Sequence, residues 1–278
     1  MKLHVINTET FKLDGGAMFG VVPKVIWNNV NPADDKNLCT WAMRCLLIED
    51  GDRKILIDTG LGNKQSDKFF SYYEPTGPNS LQASINNAGI IYDEITDVIL
   101  THLHFDHCGD AVTRNENNEL IPTFKNAKYW SNKAHWESAK NPNARERASF
   151  LKENFLPLEE QGVVEFVEEG DEFLPGITAR FFDGHTNQMM VPHINYNGKT
   201  IAYMADLLPS AGHIPLAWVM AYDIDPLQTL KEKGAYLKEA FENDYTLFLE
   251  HDKDHECCNL QMTEKGIRLK DTFKLSEI

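Results

Sequence analysis

The chain of 278 residues has no long hydrophobic run and few cysteines. No segment approaches the roughly 20 consecutive apolar residues that a membrane-spanning helix needs, so membrane insertion is not expected. The sequence after Met1 lacks the apolar stretch and the small-residue cleavage site of a secretory signal. The five cysteines are odd in number and show no CxxC spacing, which argues against a disulfide framework and a zinc ribbon. These absences together favour a cytoplasmic protein.

Positive charge is also scarce, because 27 Lys and Arg residues face 42 Asp and Glu residues and leave a formal net charge of −15. Sequence-independent binding of nucleic acid depends on clustered Lys and Arg that neutralise phosphates. Anionic membranes would repel such a chain as well. We therefore expect a small-molecule partner rather than a nucleic acid or a membrane. The oligomeric state stays open, with a homodimer as one option.

No internal repeat, low-complexity tract or linker rich in Pro, Gly or Ser divides the chain, which favours one α/β domain over residues 1–278. Strands are predicted at 44–49 and 54–60 around a tight turn, and a capped helix begins at Ser80 and stops before Gly89. Further predicted elements are helices within 131–155 with Ser131 as a candidate N-cap, strands at 163–167, 177–182, 200–205 and 245–249, and a helix from Asp225 to about Ala240.

Four metal-ligand side chains lie close together, directly after the apolar run 98–100. They are His102, His104, Asp106 and His107. Side chains of an extended chain alternate, so an extended exit from a strand would point the first three one way and His107 another. Ligands that point in two directions suit two adjacent cations. His nitrogen together with Asp oxygen favours zinc or a similar first-row metal.

Three later strand ends each carry another candidate ligand, namely His185, Asp206 and His251. Loops at the ends of several strands are where α/β scaffolds hold functional groups, because the strands fix their positions. The predicted arrangement assigns His102, His104 and His185 to one ion and Asp106, His107 and His251 to the other, with Asp206 as a bridging carboxylate. Each of two zinc ions then has four protein ligands, and a hydroxide between the ions completes both coordination shells.

The motif His102-x-His104-x-Asp106-His107, followed by the three later ligands, resembles the metallo-β-lactamase superfamily. The resemblance extends over most of the chain. It implies an α/β fold of the αββα sandwich type, in which helices flank two mixed sheets and the metals lie at one edge between the sheets. It also includes Asp58-Thr59-Gly60, which in such proteins lies on a strand beside the metal site. The resemblance implies that Asp58 helps to orient a ligand histidine.

Two further segments, 14–24 and 205–209 with the residues that follow, are similar to the quorum-quenching N-acyl-homoserine lactonases of that superfamily. This resemblance implies a dizinc hydrolase that opens the lactone ring with a metal-bridging hydroxide. Asp106 would pass the proton onward, and His213 and Tyr222 are the candidate hydrogen-bond donors to the substrate. The residues expected around the acyl chain are Met18, Phe19, Val21, Val22, Ile214, Leu216, Trp218 and Met220.

The sequence departs from the lactonase pattern at Pro209, where some lactonases place a tyrosine that contacts the substrate carbonyl. Some relatives with this arrangement hydrolyse phosphotriesters, so an organophosphate or arylester hydrolase is the main alternative. A glutathione thioesterase is disfavoured by the lack of a basic patch, and a redox protein by the absence of a flavin or haem motif. The complete ligand set disfavours a non-catalytic binder. Asp206 disfavours a β-lactamase, because a cysteine ligand often stands there in the zinc enzymes of that group.

Overall fold

A computed structural model describes residues 1–278 as a mixed α/β protein with fourteen strands and eight α-helices. The strands are β1 (Lys2–Asp14), β2 (Leu38–Asp50), β3 (Arg53–Ile57), β4 (Asp97–Ile99), β5 (Val112–Arg114), β6 (Leu120–Pro122), β7 (Lys128–Ser131), β8 (Val164–Phe166), β9 (Ile177–Phe182), β10 (Met189–Tyr196), β11 (Lys199–Tyr203), β12 (Thr246–Phe248), β13 (Cys257–Thr263) and β14 (Gly266–Phe273). The α-helices are α1 (Gly15–Phe19), α2 (Lys24–Trp27), α3 (Asp67–Tyr73), α4 (Leu81–Asn87), α5 (Phe105–Cys108), α6 (Lys133–Lys140), α7 (Leu156–Glu160) and α8 (Pro226–Glu242). No helix combines the length and the apolar character that crossing a bilayer requires.

Twelve of the strands form two six-stranded sheets, and β5 pairs with β6 in a separate hairpin. The first sheet has the order β1-β2-β3-β4-β7-β8, and the second has the order β14-β13-β12-β11-β10-β9. Both sheets are mixed. In the first, β3, β4, β7 and β8 are parallel while β2 and β3 are antiparallel. In the second, β11 and β12 are parallel and the other neighbours are antiparallel. The fold class is therefore the α/β class with mixed sheets that the sequence predicts.

The chain divides into two compact units, and each is built from two separate stretches. The first unit consists of residues 1–9 and 43–168, and the second consists of residues 10–42 and 169–278. Strands β1 and β2 each contribute residues to both units. The single domain expected from the sequence stays a prediction.

The core of the first unit explains why the apolar run at 98–100 has no polar alternation. Val98 of β4 and Leu100 just after it are fully buried, in the same cluster as Leu56 of β3 and Tyr129 of β7. Parallel strands that are covered on both faces are typically continuous apolar runs. The position at which the chain leaves this buried strand is therefore fixed, and the predicted ligands His102 to His107 follow directly.

Local signals in the sequence place several element ends as predicted. The β2–β3 hairpin turns at Gly51, whose φ of 59° suits a tight turn. The Ser80 side chain caps α4 by accepting a hydrogen bond from the backbone N–H three residues on, at 3.2 Å. Asp225 caps α8 in the same way, at 3.0 Å, with Pro226 in the first turn.

Two local predictions were wrong. Ser131 does not cap α6, because it is the last residue of β7, and the Asn132 side chain accepts the hydrogen bond from the N–H of His135 at 2.8 Å instead. The chain beyond β4 does not stay extended as far as Asp106. It turns at His104 into the short helix α5, for which His104 is the N-cap residue.

Candidate metal centre

The first predicted ligands follow β4 in the first unit. His102 and His104 are both buried, and Nε2 of His102 lies 3.1 Å from Nδ1 of His104. Two nitrogens that bind one tetrahedral zinc at about 2.0–2.1 Å are separated by about 3.4 Å. The two rings thus already hold their nitrogens at close to the separation that a shared ion requires.

Asp106 and His107 lie in α5, so their side chains come together through a helical turn and not through strand alternation. Nε2 of His107 lies 3.8 Å from Oδ2 of Asp106. The other ring nitrogen, Nδ1, lies 3.1 Å from Oδ2 of Asp58. A histidine whose Nδ1–H donates to a carboxylate presents the lone pair of Nε2 to a metal. The ring of His107 is therefore held in the tautomer that ligation needs.

Asp58 is fixed by more than this one contact. It follows β3 with a φ of 58°, a left-handed conformation that non-glycine residues seldom adopt. Its carboxylate is fully buried and accepts hydrogen bonds from the N–H of Thr101 at 2.8 Å and from its hydroxyl at 2.7 Å. Both oxygens are therefore engaged, so the carboxylate cannot rotate away from His107. Strained backbone of this kind concentrates at functional sites.

The predicted ligands of the second unit are arranged around Asp206. Its Oδ2 lies 3.0 Å from Nε2 of His185, and its Oδ1 lies 3.1 Å from Nε2 of His251. Asp206 is placed just beyond β11 by Ala205, whose φ is 43°. A single carboxylate that offers one oxygen to each of two imidazoles has the arrangement that a bridging ligand needs.

The outer nitrogens of both imidazoles are also held. Nδ1 of His185 lies 3.0 Å from Oδ1 of Asp223, and Nδ1 of His251 donates to the backbone carbonyl of Ala42 at 2.7 Å. Burial of His185 lowers its pKa, but the two carboxylates Asp206 and Asp223 outweigh burial and raise this pKa to about 10. The surroundings of His185 therefore favour positive charge, which is the electrostatic condition for binding a cation.

Each of the seven predicted ligands belongs to one of several groups of three or four His and carboxylate side chains that could hold a metal ion, and within each group the ligand atoms lie within 4.8 Å of one another. Glu250, which is fully buried, belongs to such a group as well. Buried imidazole nitrogens and carboxylate oxygens are the donors that zinc and similar metals use, so the residues fit a metal of this class. Glu250 is not among the residues predicted from the sequence, although its position next to His251 is a visible signal. Asp223 is not among the predicted site residues either, because no local spacing links Asp223 to His185.

The predicted catalytic residue His213 is buried and its ring nitrogens are engaged inside the protein. Nδ1 lies 2.8 Å from the hydroxyl of Ser210, and Nε2 donates to the backbone carbonyl of Met18 at 2.9 Å. The ring also stacks on Phe19 with a centroid distance of 4.6 Å. Burial lowers the pKa of His213 to about 3, so the ring is neutral. In this arrangement His213 has no ring N–H left to donate to a substrate.

The predicted substrate-contacting residues fall into three groups by exposure. Met18, Phe19, Ile214 and Met220 are buried, Val22 and Trp218 are half-buried, and Val21, Leu216 and Tyr222 are exposed. Trp218 and Met220 line a narrow internal gap of the second unit, too small for a water molecule, together with Asp206, His213 and Lys233. The structure thus places two of the expected acyl-chain residues beside the predicted bridging carboxylate.

Residues 44–251, well over half of the chain, match the sequence model of the Metallo-beta-lactamase superfamily. A curated relative, an N-acyl homoserine lactonase from Bacillus cereus, is 25% identical over 170 residues, which cover 57% of this chain and 59% of that protein. The chain thus spans less than two thirds of the length of this relative.

Two solved structures are similar over nearly the whole chain. A probable metal-dependent hydrolase from Staphylococcus aureus has a TM-score of 0.86 at 25% identity, with 98% of both chains covered. AidC, a dizinc quorum-quenching lactonase solved in complex with a product, has a TM-score of 0.80 at 18% identity, with 98% of this chain and 95% of that chain covered. At this identity the second likeness shows the fold alone. The match to the superfamily model and the metal-capable groups lead to one conclusion: this chain belongs to the metallo-beta-lactamase superfamily.

Proposed function

We propose that this superfamily hydrolase uses two zinc ions to open the ring of N-acyl-homoserine lactones, the reaction that silences signalling between bacteria. The observation that carries the proposal is the carboxylate of Asp206, which faces His185 with one oxygen and His251 with the other. The proposed ligands are His102, His104, Asp106, His107, His185, Asp206 and His251. The named lactonases among the similar proteins support this choice of substrate.

Two bound zinc ions would supply Lewis acidity and lower the pKa of a water molecule enough to make it a nucleophile at neutral pH. The residues of the chain do the rest. Asp58 and Asp223 hold His107 and His185 in the required tautomers through hydrogen bonds of 3.1 and 3.0 Å. Asp106, which is buried, would accept a proton from the attacking water and pass it to the ring oxygen as the bond between that oxygen and the carbonyl carbon breaks.

The apolar part of the substrate would lie against the half-buried Trp218, which lines a narrow gap beside Asp206. Burial of methylene groups stabilises binding by about 0.8 kcal/mol each, so a long acyl chain would bind more tightly than a short one. We propose His213 as a residue that packs the pocket wall, because its ring nitrogens face Ser210 and Met18. Tyr222 is exposed and stays the candidate hydrogen-bond donor to the substrate.

The decisive experiment combines elemental analysis with a pH-stat assay of the purified protein. We expect two equivalents of metal and acid release from a long-chain N-acyl-homoserine lactone that exceeds acid release from a phosphotriester or a thioester. Protein that contains no metal after purification and binds none on addition of zinc would refute the metal centre. Full metal content without lactone turnover would refute the lactonase proposal alone.

One observation favours a second candidate, a phosphotriester or arylester hydrolase on the same site. The chain has Pro209 three residues after Asp206, and the nitrogens of His213 are engaged, so two candidate donors to a substrate carbonyl are missing. A phosphotriester with a good leaving group depends less on such a donor. Higher kcat/KM for the phosphotriester than for every lactone tested would favour this candidate.

A further inference from the structure

Lys233 is a charged residue inside the second unit, on the third turn of α8. Its side chain is 1% exposed. Lysine is almost never buried to this extent unless its ammonium group is satisfied by other groups. Burial lowers the pKa of Lys233 to about 7, and the attraction of Asp223 offsets only part of this effect. A residue that costs stability in this way needs another reason for its presence.

The ammonium of Lys233 donates to three backbone carbonyls of one short segment. The acceptors are the carbonyl oxygens of His213 at 2.9 Å, Pro215 at 3.3 Å and Trp218 at 2.7 Å. The segment 214–220 contains no helix or strand, and the carbonyl of Pro215 accepts a backbone hydrogen bond in a turn, from the N–H of Trp218 at 2.9 Å. A single side chain therefore supplies three of the hydrogen bonds that hold this segment.

The same segment is held a second time near its other end. Oδ2 of Asp223 accepts a hydrogen bond from the N–H of Met220 at 3.2 Å, while Oδ1 faces His185. Lys233, Asp223, Trp218 and Met220 line one narrow internal gap with Asp206, so the segment packs close to this carboxylate. The segment between the two attachments thus lies beside this gap, with Trp218, Val219 and Met220 lining it and Leu216 exposed.

We propose that Lys233 is a specificity-determining positioning residue, which fixes segment 213–218 as the wall that the acyl chain of the substrate contacts. The inference deepens the proposed function and depends on it for its kinetic test. Lys233 touches neither the metals nor the reacting atoms in this proposal, so its effect is on the fit of the substrate and not on the chemical step.

The test compares Lys233→Met with Lys238→Met in the metal-loaded protein. Methionine is of similar length but has no donor, and Lys238 is an exposed lysine on the same helix that pairs with Glu242. We expect Lys233→Met to retain full metal content and to raise KM for a long-chain lactone about tenfold with kcat nearly unchanged. The preference for long over short acyl chains should fall by a similar factor. Lys238→Met should behave as the wild type.

A second measurement does not depend on turnover. Hydrogen exchange of the amides in 213–223 should be faster in Lys233→Met than in the wild type, whereas exchange in β9 to β11 should not change. If the wild type turns over no lactone, the proposed function fails while this measurement still tests the positioning role. Unchanged chain-length preference together with unchanged exchange would overturn the inference.

A milder variant covers the case in which Lys233→Met does not fold. Lys233→Gln keeps two N–H donors without the charge, and we expect an intermediate loss of chain-length preference. Wild-type preference in this variant would count against the inference as well.

Discussion

The histidines of the candidate centre share a pattern in what holds their outer nitrogens. In three of them Nδ1 faces an oxygen from a distant part of the chain, supplied by Asp58, by Asp223 or by the carbonyl of Ala42. The ligand types could be predicted from the sequence, because His102 to His107 form a local motif. Their oxygen partners could not, with the exception of Asp58, because the partners are distant in the chain and carry no spacing signal.

Asp206→Asn is the residue change with the largest expected effect on the centre. The amide has one neutral oxygen where the carboxylate has two charged ones. Only one of the two imidazoles that face residue 206 would therefore still face an oxygen. We expect loss of at least one metal equivalent and a fall in kcat/KM of more than about 100-fold. Elemental analysis and initial rates measure both quantities.

Cys108→Ala is the matched control for that variant. Cys108 is fully buried next to His107, and burial raises the pKa of its thiol to about 12, so it is not a reactive thiolate. We expect wild-type metal content and activity.

Full activity of Asp206→Asn at full metal occupancy would contradict the role of Asp206 as a bridging ligand.

Lys233 also makes a prediction about stability and pH. Its pKa is about 7 in the folded protein and near 10.5 in the unfolded chain, so between these values the unfolded chain binds more protons. The contribution of this group to stability therefore rises as the pH increases from about 7 to about 10.5. Urea unfolding at pH 7 and pH 9.5 should show the wild type gaining stability relative to Lys233→Met. Parallel pH dependence of the two proteins would contradict the lowered pKa.

At the level of elements, the short helix α5 is where sequence reasoning and structure differ most. Alternation of side chains predicts an extended chain through Asp106, yet the chain turns at His104 and Asp106 lies in a helix. A four-residue helix has too few positions for helical periodicity to appear in the sequence. Its backbone is set by tertiary contacts, such as the hydrogen bond from the N–H of Thr59 to the carbonyl of His107 at 2.7 Å. Longer elements with caps, such as α4 and α8, could be predicted from the sequence.

The contact between the loop after β9 and the start of α8 gives an element-scale prediction. A Cβ at Gly184 would lie 2.3 Å from the backbone nitrogen of Thr229, so Gly184→Ala must push His185 and α8 apart. We expect the melting temperature to fall by roughly 3–10 °C. Scanning calorimetry of the metal-loaded protein measures the change.

Gly234→Ala provides the comparison on the same helix. A Cβ there would meet only the flexible end of Leu216, at 3.2 Å, and alanine favours a helix over glycine by about 1 kcal/mol. We expect an unchanged or slightly higher melting temperature. An equal fall in melting temperature for Gly184→Ala and Gly234→Ala would show that the close approach of Gly184 to Thr229 does not explain the loss of stability.

For the whole molecule, acidity and metal binding are connected. The formal net charge of −15 includes carboxylates that are predicted ligands or orient ligand histidines, and bound cations would offset part of it. The excess of acidic residues could be read from the composition alone, and it argues against nucleic acid as a partner. It could not indicate the division into two units, because that division depends on which distant strands pair.

Removal of metal should therefore destabilise the whole molecule. A ligand that binds only the folded state stabilises it by about 2.7 kcal/mol at one hundred times its Kd, which corresponds to a melting temperature shift of roughly 5–10 °C. We expect chelator-treated protein to melt lower by this amount and zinc to restore the original value. Magnesium should not restore it, because magnesium prefers oxygen ligands. Identical melting temperatures of metal-free and metal-loaded protein would contradict a metal centre that contributes this much stability.

The discontinuity of the second unit affects how the protein is made on the ribosome. Residues 10–42 are translated early, but the stretch with which they pack, 169–278, follows only after the whole first unit has been synthesised. Nascent chains fold from the N-terminus as translation proceeds. The early segment, with apolar residues such as Phe19, Trp27 and Trp41, must therefore wait without its final partners. This interval is when we expect the nascent polypeptide to be most vulnerable to aggregation and most dependent on chaperones.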